Sequence, residues 1–95
     1  MDKYELVVIV DATIAQEEKE SVIKSTAEAI SKLDGKVINS QVWLDKHRFA
    51  FKIKKCLEGT YYLVNFEGVR SAIAQIRQAL RLNEKILRSL IIRVD

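Results

Sequence analysis

The sequence predicts an α+β sandwich in the order βαββαβ, a four-stranded antiparallel sheet with two helices on one face. Three observations predict it. Short β-branched runs stand at both ends of the chain, two stretches repeat their apolar residues with a helical period, and a hairpin pattern lies between them. With 95 residues, 48% hydrophobic, three Gly and no Pro, the chain has material for one core and no evident linker, so residues 1–95 are expected to form a single domain.

The elements follow in order. YELVVIVD, residues 4–11, is a β-branched run of the kind buried on both faces, which suits the middle of a sheet. From Thr13 the period becomes helical. Val22, Ile23, Thr26, Ala27, Ile30 and Leu33 form one stripe, while Glu17, Glu18, Glu20, Lys24 and Glu28 fall elsewhere. Thr13 and Gln16 have capping-box spacing, and Gly35 suits the left-handed residue that ends a helix near Leu33. Residues 36–54 read as a long second strand, turning around Glu58 and Gly59 into TYYLVNFE. Val69 to Leu82 is helical again, with Val69, Ala72, Ile73, Ile76, Ala79 and Leu80 on one side, and Ile86 to Val94 is the last strand. Right-handed crossovers place the first and third strands at the centre, the arrangement of the ferredoxin-like fold.

Within the second strand, HRFAFKIKK at residues 47–55 alternates cations with apolar residues. Successive side chains of a strand point to opposite faces. If Phe49, Phe51 and Ile53 face the helices, Arg48, Ala50, Lys52 and Lys54 line the open face. The same parity leaves Val7 and Ile9 on that face, beside Tyr61 and Leu63, so its centre is expected to be apolar and its edge basic. An apolar patch on an uncovered face marks a partner surface. For the last strand, Leu90 with Ile92 and Ser89 with Ile91 are equally good candidates for the open face.

Charge supports a polyanionic partner. The formal net charge is +3, yet residues 1–40 carry five Lys and eight acids, whereas residues 41–95 carry eleven Lys or Arg and five acids. Lys46, His47, Arg48, Lys52, Lys54 and Lys55 lie within ten residues, opposed only by Asp45. Single lysines on an edge strand also block aggregation, and Arg70, Arg77 and Arg81 read as the ordinary polar side of the second helix. It is the clustering in the strand that points to phosphates.

Other chemistry is missing from the sequence. Cys56 has no partner for an internal disulfide, and with one His47 no zinc set is expected. There is no glycine-rich phosphate loop, CxxC or GxSxG. DATIAQ, after the first strand, lacks the glycine with which small ferredoxin-like acylphosphatases cradle phosphate, which argues against an enzyme. No apolar run approaches the roughly 20 residues of a membrane-spanning helix. The first residues lack a signal-peptide layout, so a cytoplasmic protein with no membrane partner is expected.

YELVVIVD, KHRFAFKIKKCLEGTYYLVNF and LNEKILRSLIIRVD, in this order and spacing, resemble the sixth protein of the bacterial small ribosomal subunit, the ribosomal protein S-six family. Tyr4 and Glu5 match its opening aromatic-acid pair. Arg48, Phe49, Ala50, Phe51, Lys52 and Ile53 match in kind its basic lead into a leucine-alanine-tyrosine-proline-isoleucine strand. Gly59, Tyr61 and Tyr62 match a glycine followed by aromatics, and Asn83 and Arg88 match the turn and arginine of the last strand. Asp45, His47 and Lys52 depart from the family's glycine, arginine and proline. The resemblance implies a structural, non-catalytic role. Such proteins pair with ribosomal protein S-eighteen and bind the central domain of the small-subunit ribosomal RNA as the platform assembles. Lys46, His47, Arg48, Lys52 and Lys54 are then the leading RNA-contact candidates, with Lys3, Tyr4 and Arg88 behind them. Val7, Ile9, Tyr61 and Leu63 are the candidates for the protein partner. No cofactor, metal or small-molecule substrate is expected. The rival reading is a ferredoxin-like interaction or ligand-sensing module that dimerises through its open face.

Overall fold

The computed structural model describes residues 1–94; Asp95 lies outside the described residues. The elements are β1 (Asp2–Asp11), α1 (Gln16–Lys32), β2 (Lys36–Ile53), β3 (Cys56–Gly68), a short 3₁₀ turn (Arg70–Ala72), α2 (Ile73–Arg81) and β4 (Ile86–Arg93). The sheet order is β2-β3-β1-β4, and every neighbouring pair is antiparallel. The first and third strands are therefore central, as the topology requires.

One face of the sheet is sealed by the helices. Tyr4, Leu6, Val8 and Val10 of β1, Tyr62, Val64 and Phe66 of β3 and Ile91 of β4 pack against Val22 and Ile30 of α1 and Ile76 and Leu80 of α2. These helix positions recur at intervals of four or eight residues, so each helix buries one stripe. Fully burying a Leu, Ile or Phe side chain contributes roughly 1.5–3 kcal/mol, which makes this layer the main source of stability. Tyr4 stacks on Phe66 with ring centroids 5.3 Å apart and is only 5% exposed. A side chain so enclosed is not presented to RNA, which removes Tyr4 from the contact candidates. The aromatic-acid pair it belongs to opens the strand and serves the core.

Local chemistry at three chain reversals differs from expectation. Thr13 does not cap α1: its N–H and hydroxyl both donate to Asp11 Oδ1, at 2.9 and 2.8 Å, and Ala15 occupies the cap position without a side-chain bond. At the other end the left-handed residue is Asp34 (φ 64°), not Gly35. The Gly35 N–H donates to the Ile30 carbonyl at 2.9 Å and the Asp34 N–H to the Ser31 carbonyl at 3.1 Å, the bonding pattern of a Schellman ending. Gly35 is needed one position later for space, since a Cβ there would lie 2.5 Å from Ile30 Cγ2 and 3.2 Å from the Glu67 carbonyl oxygen. The hairpin turns at Lys54 and Lys55, both at positive φ (48° and 69°), and not at Glu58 and Gly59. Positive φ at both central residues matches the twist of the flanking strands, so a two-residue turn forms there without glycine.

Candidate nucleic-acid interface

The basic segment lies on the β2–β3 hairpin, which runs on past the end of β1, where Asp11 pairs with Gly59. Its geometry is set by slips in register. Val37 opposes Phe66, on the helix side, but one extra residue enters β2 before Asn39, another before Leu44 and a third before His47, and the pairing shifts a fourth time between Arg48 and Ile53. Each slip exchanges the two faces of the strand. From His47 to the fourth shift, three slips therefore invert the parity that strict alternation from Val37 would give.

The expected facing of Phe49 and Phe51 is accordingly corrected. Phe49 lies on the open face, with its ring centroid 6.3 Å from that of Tyr61, and Ile53 is half-buried near the turn. Phe51 is 86% exposed. Trp43 and His47 also meet Tyr61 edge-on, at 6.2 and 5.4 Å, so one tyrosine gathers three rings from β2. A Cβ on Gly59 would lie 2.4 Å from Phe49 Cζ and 2.8 Å from Ile9 Cγ2, which places these two side chains together above the glycine. Ile9 is covered by this arrangement and is only 9% exposed, so it is a poor candidate for direct partner contact.

The cations stay accessible in spite of the inverted parity. Lys46, Arg48 and Lys52 are exposed. Arg48 opposes Glu58 and so points away from the open face that carries His47 and Phe49, not onto it as expected. Lys46 adopts φ 51° at the third slip, which turns its side chain out of the strand's alternation. Asp45, the acid in this cluster, accepts a hydrogen bond from Thr60 Oγ1 at 3.2 Å. Lys54 is engaged differently from the others: its Nζ donates to the Ile86 carbonyl at 3.2 Å, tying the hairpin turn to the start of β4. Lys3 is exposed and paired in register with Glu67, and Arg88 is exposed opposite Ile9.

Register also settles the parity of β4. Leu90 opposes Val7 and Ile92 opposes Glu5, so Leu90 and Ile92 share the open face with Val7, Tyr61 and Leu63. They are the most exposed apolar residues there among the strands' paired positions, at 57% and 49%. They are one of the two pairs that pattern reading left open, and Trp43 is the candidate it missed. The lone tryptophan was the available signal, whereas β4 has apolar residues in both rows and carries none.

Among the described residues, no group of three or more His, Cys, Asp or Glu stands close enough to hold a metal ion, and no helix is long and apolar enough to cross a membrane. Burial, and then the neighbouring Asp11 carboxylate, push the Cys56 thiol above its ordinary value, the opposite of what an activated cysteine needs.

Comparison with known proteins gives a consistent picture. The family described as ribosomal protein S6 matches residues 3–93. The small ribosomal subunit protein bS6 of Micrococcus luteus is 36% identical over 95 residues, covering all of this chain and 93% of its own length. That of Cutibacterium acnes is 33% identical, with 98% of its length covered. The crystal structure of 30S ribosomal protein S6 from Thermotoga maritima superposes with a TM-score of 0.87 over 98% of this chain and 87% of that one, at 23% identity. The C-terminal domain of the MgtC protein from Mycobacterium tuberculosis shares the fold, with a TM-score of 0.64 at 10% identity and coverage of 99% and 88%.

Proposed function

The chain belongs to the ribosomal protein S6 family, hence to the proteins of the small ribosomal subunit, and on that premise we propose that it binds small-subunit ribosomal RNA jointly with ribosomal protein S-eighteen during platform assembly. The observation that carries this reading is the exposed row of Lys46, Arg48 and Lys52 on a hairpin that extends beyond β1. Phosphate contacts of this kind position a protein without reading sequence, so specificity comes from RNA shape and from the second protein bound beside it. Phe51, the most exposed large apolar residue of the hairpin, supplies a flat surface for an unstacked base next to those cations. The apolar open face, with Val7, Leu63, Leu90 and Ile92, is the surface we assign to the protein partner. The work is done by binding and requires no turnover.

Native cell extracts fractionated by sedimentation test the proposal. The chain should travel with small subunits, and the triple variant K46Q/R48Q/K52Q should shift toward the unbound fractions while keeping its fold. A chain that sediments as a free homodimer, away from small subunits, would overturn the proposal in favour of a self-associating module.

A further inference from the structure

A second cationic site lies where the tip of the hairpin meets α2 and the start of β4. Lys54, Arg77, Arg81 and Arg88 line a cleft of about 390 Å³ whose other walls include Leu80 and Ile91, and no Asp or Glu is among its lining residues. The four cations come from three separate elements. Arg77 and Arg81 are one turn apart on α2 and so project from the same side of that helix. Arg88 stands on β4 and Lys54 at the hairpin turn, where the bond from its Nζ to the Ile86 carbonyl holds it over the cleft. None of the four forms an ion pair among the described residues. Four like charges around one concavity repel one another unless an anion sits between them, and low-dielectric walls strengthen its attraction. The Arg forks match the oxygens of a phosphate, and the apolar floor suits the base or sugar attached to it.

We propose that this cleft binds an exposed nucleotide phosphate, carried either by a free nucleotide or by the end of an RNA strand. Only Lys54 and Arg88 are shared with the ribosomal RNA reading; Arg77 and Arg81 belong to this site alone. The volume falls within the range of small-ligand sites. A phosphate arriving there competes with the Ile86 carbonyl for Lys54, so occupancy would loosen the link between the turn and β4.

Calorimetric titration of the intact protein tests this with pyrophosphate, GTP, guanosine, and a short single-stranded RNA with and without a 5′-phosphate. Pyrophosphate and GTP should bind with one-to-one stoichiometry and guanosine should not. The double variant R77Q/R81Q, at two exposed positions, should weaken binding at least tenfold with an unchanged melting temperature, and R77K/R81K should recover part of it. Preference for the 5′-phosphorylated RNA over GTP would identify a strand end as the source, and the reverse preference a free nucleotide. Absence of saturable binding by every phosphorylated probe, or binding indifferent to R77Q/R81Q, would overturn the inference. The ribosomal RNA reading would survive that result, since it is tested through Lys46, Arg48 and Lys52.

Discussion

At the scale of single residues, Asp34, Gly35 and Asp11 show how chemistry at a reversal differs from its simplest sequence signal. Gly35 is read as the left-handed helix end, yet that conformation belongs to Asp34, and glycine is required next door because Ile30 and the Glu67 carbonyl leave no room for a Cβ. Replacing Asp34 with Gly should relieve the left-handed strain and leave stability unchanged or raise it by up to about 1 kcal/mol, whereas Gly35→Ala should cost about 1–3 kcal/mol, both read by chemical denaturation. Asp11 offers a pH test. Hydrogen bonds from the Thr13 N–H, most of all, and from its hydroxyl hold the carboxyl below its ordinary value of 3.8. The folded protein thus takes up this proton less readily than the unfolded chain. The resulting stability is fully present above the unfolded value and is lost as pH falls through the folded one. Melting curves recorded from about pH 5 downward should therefore fall more steeply for the wild type than for Asp11→Asn; parallel curves would mean that the Thr13 bonds contribute nothing.

At the scale of elements, the hairpin separates what the sequence discloses from what it hides. The alternation in HRFAFKIKK reveals a strand, and the clustering of its cations reveals a basic surface. Its facing was not legible, because it depends on shifts in the β2–β3 register, and the three that precede His47 are single residues with no composition of their own. Gly59 looked like a turn but is a strand residue that gives room to Phe49 and Ile9, while the turn itself falls on two lysines. The inverted parity makes a sharp prediction. Phe51→Ala should change stability by no more than about 0.5 kcal/mol, as at an exposed position. Phe49→Ala, which removes a ring packed on Tyr61, should cost about 1–3 kcal/mol, below the usual loss for a fully buried Phe. If both substitutions cost as much as core truncations, the two rings face the helices and the register described above is wrong.

At the scale of the whole molecule, the sheet divides labour between its faces. The covered face supplies stability; the helix stripes that build it were readable from periodicity, and the two central strands from the handedness of the crossovers. The uncovered face keeps Val7, Leu63, Leu90 and Ile92 accessible, and a hydrophobic row left in water on a small protein is explained by a partner. Leu90→Asp should leave the melting temperature within a few degrees of wild type while weakening association with the partner protein at least tenfold, measured by co-sedimentation of the two purified chains. The basic hairpin adds the electrostatic part. The most direct test titrates the central-domain ribosomal RNA fragment with this protein and its protein partner at several salt concentrations. With about four phosphates neutralised, log affinity should fall against log salt with a slope of roughly −3 to −4, and R48Q/K52Q should make it shallower by about 2. A salt-independent affinity, or a slope untouched by those substitutions, would contradict the assignment of the hairpin as the RNA-binding surface.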